Sequence, residues 1–266
     1  MTVLRTAFCL GGIFLSMTLL AQDIRKETQR WQQMIAEGSP AELFELEGEA
    51  LWKKKQGPKN ASLEACDLGQ GPGVLKGAYA RLPRYFADAD RVMDLETRLL
   101  HCMTAVQGRS REEALKRVFG NANQPSEMEL LSAYVAGESR GVPMAPGTRH
   151  PKEQAAFELG RKLFFHRAGS WDFSCTSCHG EEDKRIRMQY LPVMSKPEGA
   201  RRIVATWPAY LVRNGEFKTM QWRINDCYRQ MRWPEPTFAS DATVALNLFL
   251  TATGAGEPYA GPGTKR

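Results

Sequence analysis

The 266-residue sequence has few His and Cys residues and, beyond its first 21 residues, no apolar run long enough to cross a membrane. It holds four His and six Cys, so each can be considered individually. Lys and Arg number 36 against 30 Asp and Glu, a formal charge of +6 without the long basic runs of proteins that bind nucleic acid. Strand-like alternation is weak throughout. With 42% hydrophobic residues the chain is too apolar for disorder, so we expect a folded, mainly α-helical protein suited to an anionic ligand or an acidic partner.

The first 21 residues predict a cleavable secretory signal peptide. Arg5 supplies the positive start, Cys9 to Leu20 is a nearly unbroken apolar run, and small Ala21 precedes a polar pair. An uncleaved anchor is the alternative, although the run is shorter than the roughly 20 apolar residues that span a bilayer. Either way the remaining chain is exported, and we expect a periplasmic protein with no membrane span in its mature form. Cleavage after Ala21 removes Cys9 and leaves five Cys in a compartment where disulfides form.

Apolar residues at helical spacing cover most of the mature chain. Ser39-Pro40 interrupts the first helical stretch, and the segment from Gly141 to Gly147, with its two prolines, is typical of a linker. The tail from Gly254 is rich in Gly and Pro and is expected to fray. Helices are predicted at about residues 24–56, 88–103, 111–118, 125–139, 152–166, 216–231 and 240–253.

Two patterns occur twice in the same order, which indicates an internal duplication. A Gly-x-x-Leu-aromatic pattern begins 18 residues before a Cys, and its two copies are 112 positions apart. An Arg-x-x-x-Cys pattern follows, with its copies 125 positions apart. The repeated residues are Gly48, Leu51, Trp52, Cys66, Arg98 and Cys102 in the first half and Gly160, Leu163, Phe164, Cys178, Arg223 and Cys227 in the second.

The segment Cys175-Thr176-Ser177-Cys178-His179 is the pattern that attaches c-type haem. Thiols at i and i+3 reach the two vinyl groups of the macrocycle, and the adjacent His becomes the proximal iron ligand. We therefore predict one covalently bound haem c held by Cys175, Cys178 and His179. The Gly160 face of the preceding helix is expected to pack on the last helix at Leu246, Phe249 and Leu250. A redox disulfide between the two Cys, or a zinc site that recruits a further Cys, is the alternative.

The first half lacks the residues that such a haem needs. In the register of the repeat, the residues at the positions of Cys175, Cys178 and His179 are Leu63, Cys66 and Asp67. A disulfide between Cys66 and Cys102 is expected in an oxidising compartment, with two free buried thiols as the alternative. The predicted fold is mainly α, with two tandem cytochrome c-like domains. Residues 22–145 form the degenerate domain without haem, and residues 146–266 form the haem-binding domain.

Cys227 has no partner among the remaining Cys, and its surroundings on a predicted helix are cationic. Arg223 shares its helix face four positions earlier, and Arg229 and Arg232 follow it. A nearby guanidinium lowers the pKa of a thiol and can hold an oxyanion in a bidentate fork. We predict that Cys227 ligates the haem iron opposite His179 and acts as a nucleophile toward an anion. A buried, inert Cys is the alternative.

A Met ligand is the other possibility for the iron and would suit a simple electron shuttle. The Met residues that follow the haem motif are Met188, Met194, Met220 and Met231. Met is common in protein cores, so their presence alone decides nothing. His150 and His166 are expected to be surface or structural residues, and His101 has no haem to serve in the first half.

Five stretches, taken in order, carry a family resemblance. They are Leu51–Lys55 with Gly57–Asn60, Cys66–Gly69 with Gly71–Gly73, Leu82–Phe86, Cys175–His179 and Ile224–Cys227. The haem motif is common to cytochromes, whereas the other four in this order are specific. On these residues the chain resembles the SoxA family over nearly its whole mature length. It looks like the one-haem form of that family, because Asp67 replaces the ligand His of the first half.

The resemblance implies an activity. SoxA is the catalytic cytochrome subunit of SoxAX, an L-cysteine S-thiosulfotransferase that joins thiosulfate oxidatively to a cysteine of the carrier complex SoxYZ. By likeness, Cys227 is the active-site cysteine, haem ligand and persulfide, and Arg223 binds the anionic substrate, with Arg229 and Arg232 as weaker candidates. The implied electron acceptors are SoxX, a small c-type cytochrome in a heterodimer, and a downstream cytochrome c. A pure electron carrier and a scaffold with a structural haem are the competing functions.

Overall fold

The computed structural model describes residues 38–186 and 189–265, so the predicted signal peptide and Met188 lie outside the described residues. Within them the chain is helix-rich, as predicted. The α-helices are α1 (Ala41–Lys53), α2 (Leu95–Ala105), α3 (Arg111–Leu115), α4 (Glu127–Gly137), α5 (Pro151–Phe165), α6 (Thr176–His179), α7 (Pro197–Val204), α8 (Met220–Gln230) and α9 (Asp241–Thr253). Short 3₁₀ turns lie at Leu63–Ala65 and Tyr79–Arg81. The described residues from Pro40 onward form one compact unit, and the domain boundary after residue 145 stays a prediction.

Short strands connect the helices. They are β1 (Arg84–Phe86), β2 (Arg91–Met93), β3 (Arg185–Ile186), β4 (Gln189–Tyr190), β5 (Ala209–Leu211), β6 (Glu216–Lys218) and β7 (Gly263–Lys265). β1 pairs with β2, β3 pairs with β4, and β5 lies between β6 and β7 in a three-stranded sheet. Strands of two or three residues are too short to show alternation in the sequence, which is why the sequence predicts none of them.

Two close helix pairs organise the structure, α1 with α4 and α5 with α9. Each pair meets at a glycine of the repeated pattern. A Cβ at Gly48 would lie 2.1 Å from the carbonyl oxygen of Leu130, and a Cβ at Gly160 would lie 2.0 Å from that of Ala245. Only glycine allows such an approach of two helix backbones. The predicted packing of the Gly160 face on the last helix is confirmed, with the Phe164 and Phe249 ring centroids 5.3 Å apart.

A hairpin precedes the cysteine-bearing helix in each half, with the same register. Arg84 lies opposite Met93 in the first hairpin, and Ala209 lies opposite Lys218 in the second, 125 positions later. The Asp94 carboxylate caps α2 by accepting from the Thr97 N–H, and the Thr219 hydroxyl caps α8 by accepting from the Trp222 N–H. The helices predicted at 88–103 and 216–231 therefore begin later than expected, because the residues before each cap are extended.

The tail beyond Gly254 does not fray, contrary to the prediction. β7 runs parallel to β5, with Ala209 opposite Gly263 and Leu211 opposite Lys265. The predicted linker also pairs with the tail, since the Gly141 N–H donates to the Tyr259 carbonyl at 2.8 Å. Backbone hydrogen bonds to neighbouring segments thus compensate for the weak intrinsic structure of a Gly- and Pro-rich stretch.

Two large clusters of buried side chains fill the interior. The first contains the Cys66–Cys102 disulfide, with an S–S distance of 2.03 Å, packed with Leu63 and Phe86. The predicted disulfide is therefore confirmed. The second contains Phe164, Ile224, Tyr228 and Phe249, with Cys175 at its border. No helix among the described residues is long and apolar enough to cross a membrane.

Candidate haem and cysteine site

The Cys-x-x-Cys-His motif forms a single helical turn, α6. The Cys178 and His179 N–H groups both donate to the Cys175 carbonyl, at 3.3 and 2.9 Å. This turn places the two thiols of the motif one helical turn apart, as attachment to two vinyl groups of one macrocycle requires. All three side chains of the motif are half-buried.

The orientation of the His179 ring is set by the backbone that follows it. Its Nδ1 lies 3.0 Å from the Pro192 carbonyl oxygen. Because a carbonyl only accepts, Nδ1 carries the proton and Nε2 keeps its lone pair for a metal. Burial lowers the pKa of His179, the Pro192 bond opposes this, and the Arg223 charge adds to the lowering. The neutral ring that a metal ligand needs is therefore favoured.

The fold brings Cys227 on α8 to the haem motif. Burial raises the pKa of the Cys175 thiol to about 12, and the charges of Cys227 and Cys178 add to this shift. Burial also raises the pKa of Cys227, Arg223 opposes it, and Asp226 and Cys178 add to it. The lowering expected from Arg223 thus operates but is outweighed by burial. A metal at the sulfur reverses this preference, because a coordinating thiol is deprotonated.

Arginine side chains converge on Asp226, the neighbour of Cys227. Arg223 Nη1 donates to Asp226 Oδ2 at 2.7 Å, and Arg229 Nη2 lies 3.5 Å from Oδ1. Arg213 Nη2, from the β5–β6 turn, lies 4.0 Å from Oδ2. Two of the three predicted arginines therefore meet at Asp226, the residue before Cys227, and a third arginine that the sequence did not single out approaches the same carboxylate.

A family model described as the SoxA/TsdA cytochrome c domain matches residues 47–144. The L-cysteine S-thiosulfotransferase subunit SoxA of Hydrogenophilus thermoluteolus is 46% identical over 241 residues, which cover 91% of this chain and 88% of the relative. A protein of the same name from Hydrogenobacter thermophilus is 31% identical over 260 residues, 96% of this chain and 95% of the relative. The chain belongs to the SoxA family.

The solved structures agree on the fold of this SoxA-family chain. A chain described as the crystal structure of SoxXA from P. pantotrophus superposes with a TM-score of 0.73 at 22% identity, covering 89% of this chain and 84% of that one. At that identity the likeness shows the fold, which is the helix-rich cytochrome c-like fold of the family.

The remaining candidates of this SoxA-family chain lie elsewhere or are buried in the core. Arg232 stacks over Trp171, with 5.7 Å from its guanidinium carbon to the ring centroid, rather than joining Asp226. Met194, Met220 and Met231 are all buried in the second cluster. Since Met side chains commonly fill such cores, their burial gives no ligand assignment.

The other histidines have structural partners, as predicted. The His150 ring stacks on Tyr85 with centroids 3.7 Å apart and caps α5 by accepting from the Lys152 N–H. The His166 ring packs edge-on against Trp233, and His101 Nε2 lies 3.3 Å from Asp88. Across residues 38–186 and 189–265, no group of three or more His, Cys, Asp or Glu side chains is arranged to hold a metal ion.

Arg213 is the site residue that sequence reasoning missed. It lies in a turn, ten positions before Arg223, and shares no helix face with Cys227. The signal that could have found it is the 125-residue spacing of the repeat, which aligns Arg213 with Asp88. That spacing can be applied to the two turns only when the hairpins around them are recognised, and the hairpins have no visible pattern in the sequence.

Proposed function

We propose that this chain is the catalytic subunit of an L-cysteine S-thiosulfotransferase that joins thiosulfate to a cysteine of a SoxYZ-type carrier. The observation that carries the proposal is its membership of the SoxA family at 46% identity over 91% of the chain. The site agrees with it, because a cysteine and several arginines adjoin a haem-attachment motif. Family membership favours this function over a pure electron shuttle.

The residues present fit one covalently bound haem c. Cys175 and Cys178 are the attachment thiols, and His179 offers an unprotonated Nε2 because its Nδ1 is held by Pro192. Cys227 would be a further ligand of the haem iron in this proposal, in addition to His179. When bound, the haem supplies a one-electron redox centre beside the Cys227 sulfur.

The side chains around Cys227 bind and orient the substrate. Thiosulfate is a dianion, and the Arg223 guanidinium attracts it while keeping one terminal nitrogen on Asp226. The Cys227 sulfur is the nucleophilic group and carries sulfur as a persulfide. Joining thiosulfate to a carrier thiol forms one S–S bond and releases one proton and two electrons. Those electrons go to the SoxX-type partner cytochrome and then to a downstream cytochrome c.

We further propose that the chain is a duplicated cytochrome, with a haem-free domain over residues 22–145 and a haem-binding domain over residues 146–266. Equivalent glycines at close helix contacts, hairpins of equal register and equivalent helix caps support this division. In the first domain the Asp67 carboxylate, at the position of His179, accepts from the Gly69 and Gly71 N–H groups at 2.6 and 2.9 Å. It shapes a loop there instead of binding a metal.

The proposal includes an assembly and a compartment. Covalent haem attachment and a disulfide both suit the periplasm, and the predicted signal peptide would direct the chain there. The partner is a SoxX-type cytochrome in a heterodimer, because a site with one one-electron centre needs an acceptor for two electrons. Intact mass spectrometry of the exported protein tests haem count, signal cleavage and sulfur on Cys227 together.

Replacing the active-site cysteine tests the function directly. Cys227→Ala in the haem-loaded heterodimer is expected to abolish thiosulfate conjugation to the carrier, measured as the mass gain of the carrier cysteine. The matched control is the double variant Cys66→Ala with Cys102→Ala, which removes two Cys outside the site and should conjugate normally per folded molecule. Full conjugation activity of Cys227→Ala would refute the transferase mechanism. A variant that no longer conjugates thiosulfate but whose cytochrome can still be reduced would agree with it.

A further inference from the structure

The two halves differ in charge at one pair of equivalent positions beside the cysteine helices. The β1–β2 turn (residues 87–90) and the β5–β6 turn (residues 212–215) each hold four residues and join hairpins of equal register. Asp88 in the first turn therefore corresponds to Arg213 in the second, 125 positions later. The same spacing pairs Arg98 with Arg223.

In the first half, this turn neutralises the helix arginine. The Asp88 carboxylate accepts two hydrogen bonds from Arg98 Nη1, at 2.9 and 2.8 Å, and Arg98 Nε donates to the Asp67 carbonyl at 2.7 Å. Burial opposes ionisation, but the hydrogen bonds and charge of Arg98, with His101 beyond, lower the pKa of Asp88. With its side chain only 4% exposed, this guanidinium has no access to a ligand.

In the second half, the acid sits on the helix and the turn carries a cation. Arg223 uses Nη1 on Asp226 and, within the part of the chain that the structure describes, has no other carboxylate partner. Arg213 reaches the same carboxylate oxygen only at 4.0 Å. The side chains of Arg213 and Arg223 are 44% and 30% exposed, so both reach solvent near Asp226, the residue before Cys227.

The arginines keep positive charge after their internal pairing, because Arg213, Arg223 and Arg229 outnumber Asp226. Arg229 is further neutralised by Glu235, at 2.7 Å, which leaves Arg213 and Arg223 with spare donors. Coulomb attraction grows with the product of the charges, so each of these arginines attracts a dianion twice as strongly as a monoanion at equal distance.

We propose that Arg213 is a further substrate-binding residue of this site and sets its preference for a dianion. Asp226 is a positioning residue that accepts a hydrogen bond from Arg223 at 2.7 Å, as it does from Gln230, and its charge lies 4.0 Å from Arg213. The inference rests on the proposed function, because it names a second group that binds the sulfonate end of thiosulfate. It adds to that function a specificity element contributed by the hairpin turn rather than by the cysteine helix.

The test compares Arg213→Gln and Arg213→Asp with Arg161→Gln in the haem-loaded heterodimer. Arg161 is a matched control, since its side chain is 49% exposed and it pairs with Glu158 on α5. Conjugation kinetics give kcat and KM for thiosulfate, and calorimetry gives the Kd of two unreactive probes, sulfate and methanesulfonate. We expect Arg213→Gln to raise KM and the sulfate Kd about tenfold with kcat nearly unchanged, as loss of one charge-assisted contact predicts.

Arg213→Asp restores the arrangement of charges found in the first half and should raise both constants about a hundredfold, because it adds repulsion to the lost contact. The ratio of sulfate to methanesulfonate affinity should fall in both variants. Equal KM and sulfate Kd values in Arg213→Asp and Arg161→Gln would overturn the inference about Arg213. Conjugation of thiosulfate by the wild type would still support the proposed function in that case. If the wild type does not conjugate thiosulfate, the function fails, and the sulfate Kd still decides the role of Arg213.

Discussion

Arg98 and Arg223 occupy the same place in the two halves, yet the surrounding side chains give them opposite tasks. Arg98 is buried, bonded to a carboxylate and a carbonyl, and stacked 4.1 Å over the Phe86 ring. Arg223 is partly exposed and keeps only one acidic neighbour in the described part of the chain. An arginine whose N–H donors are all bonded within the protein stabilises the fold, whereas an arginine with unbonded donors can bind a ligand.

The cysteines that follow these arginines diverge in the same way. Cys102 forms a disulfide with Cys66 inside a filled core, whereas Cys227 has no disulfide partner in the described part of the chain and lies near Cys175 and Cys178. In the first half Cys66 completes this disulfide, and the Asp67 carboxylate accepts hydrogen bonds from its own loop. The first half is thus stabilised by its own cross-link, whereas the equivalent cysteine of the second half lies near the haem-attachment motif.

Exchanging each arginine for glutamine should have the largest effect and should separate the two tasks. Arg223→Gln is expected to lower kcat/KM for thiosulfate roughly a thousandfold, about 4 kcal/mol, because a charged contact to the reacting anion is lost. Arg98→Gln should instead lower the free energy of unfolding by about 2–4 kcal/mol and leave the activity of folded molecules unchanged.

Steady-state conjugation and urea unfolding of both variants provide the measurements. The comparison between the halves would break if Arg98→Gln reduced turnover of folded molecules as strongly as Arg223→Gln does. It would also break if Arg223→Gln unfolded the protein without a specific loss of turnover.

Removing the disulfide should have the next largest effect. The bond between Cys66 and Cys102 spans a separation of 36 residues, for which loss of loop-closure entropy predicts a cost of about 3–4 kcal/mol on unfolding stability. We expect the double Ala variant to show this loss in urea while binding one haem per chain as before. Loss of haem incorporation in that variant would show that the first half is needed for the second half to bind haem.

The sequence predicted the parts of this site that depend on local spacing, and missed the part that depends on the hairpins. Cys175, Cys178 and His179 lie on one turn, and Arg223 and Cys227 share one helix face, so spacing alone relates them. Arg213 reaches Asp226 across a turn between three-residue strands, which leave no alternation to recognise. For the same reason the helices predicted at 88–103 and 216–231 begin too early, and no helix is predicted at α7 (Pro197–Val204).

Replacing either repeated glycine by alanine should have a smaller effect on stability, of similar size in the two halves. Gly48→Ala and Gly160→Ala would each push a methyl group to within about 2 Å of a carbonyl oxygen on the facing helix, and overpacking of this kind costs about 1–3 kcal/mol. Both variants should lose urea stability, but only Gly160→Ala should alter the haem absorption spectrum. Gly38→Ala is the control, because a Cβ there meets no atom within 4 Å. An unchanged spectrum in Gly160→Ala would argue that the α5–α9 contact does not shape the haem site.

The last expected effect concerns Glu96 and its repeat counterpart Gln221, which touch across the two halves. The Gln221 N–H donates to Glu96 Oε1 at 3.1 Å, and both residues are buried. Burial first, and then the Asp94 charge, raises the pKa of Glu96 to about 8. The folded state therefore holds a proton that the unfolded state releases near the ordinary value of 4.5.

The direction in which unfolding stability changes with pH follows from this difference in bound protons. Below about pH 4.5 Glu96 does not lower the free energy of unfolding. As the pH rises from there toward about 8, its contribution to that free energy falls by at most about 1.4 kcal/mol per pH unit. Glu96→Gln keeps an acceptor for the Gln221 N–H, removes the titration and makes the two halves alike at this position. Urea midpoints between pH 5 and pH 8, about the range where the slope arises, should decline more steeply in the wild type than in the variant. Parallel declines would show that Glu96 ionises in the folded state as readily as in the unfolded chain, and that the contact between the halves tolerates a charge.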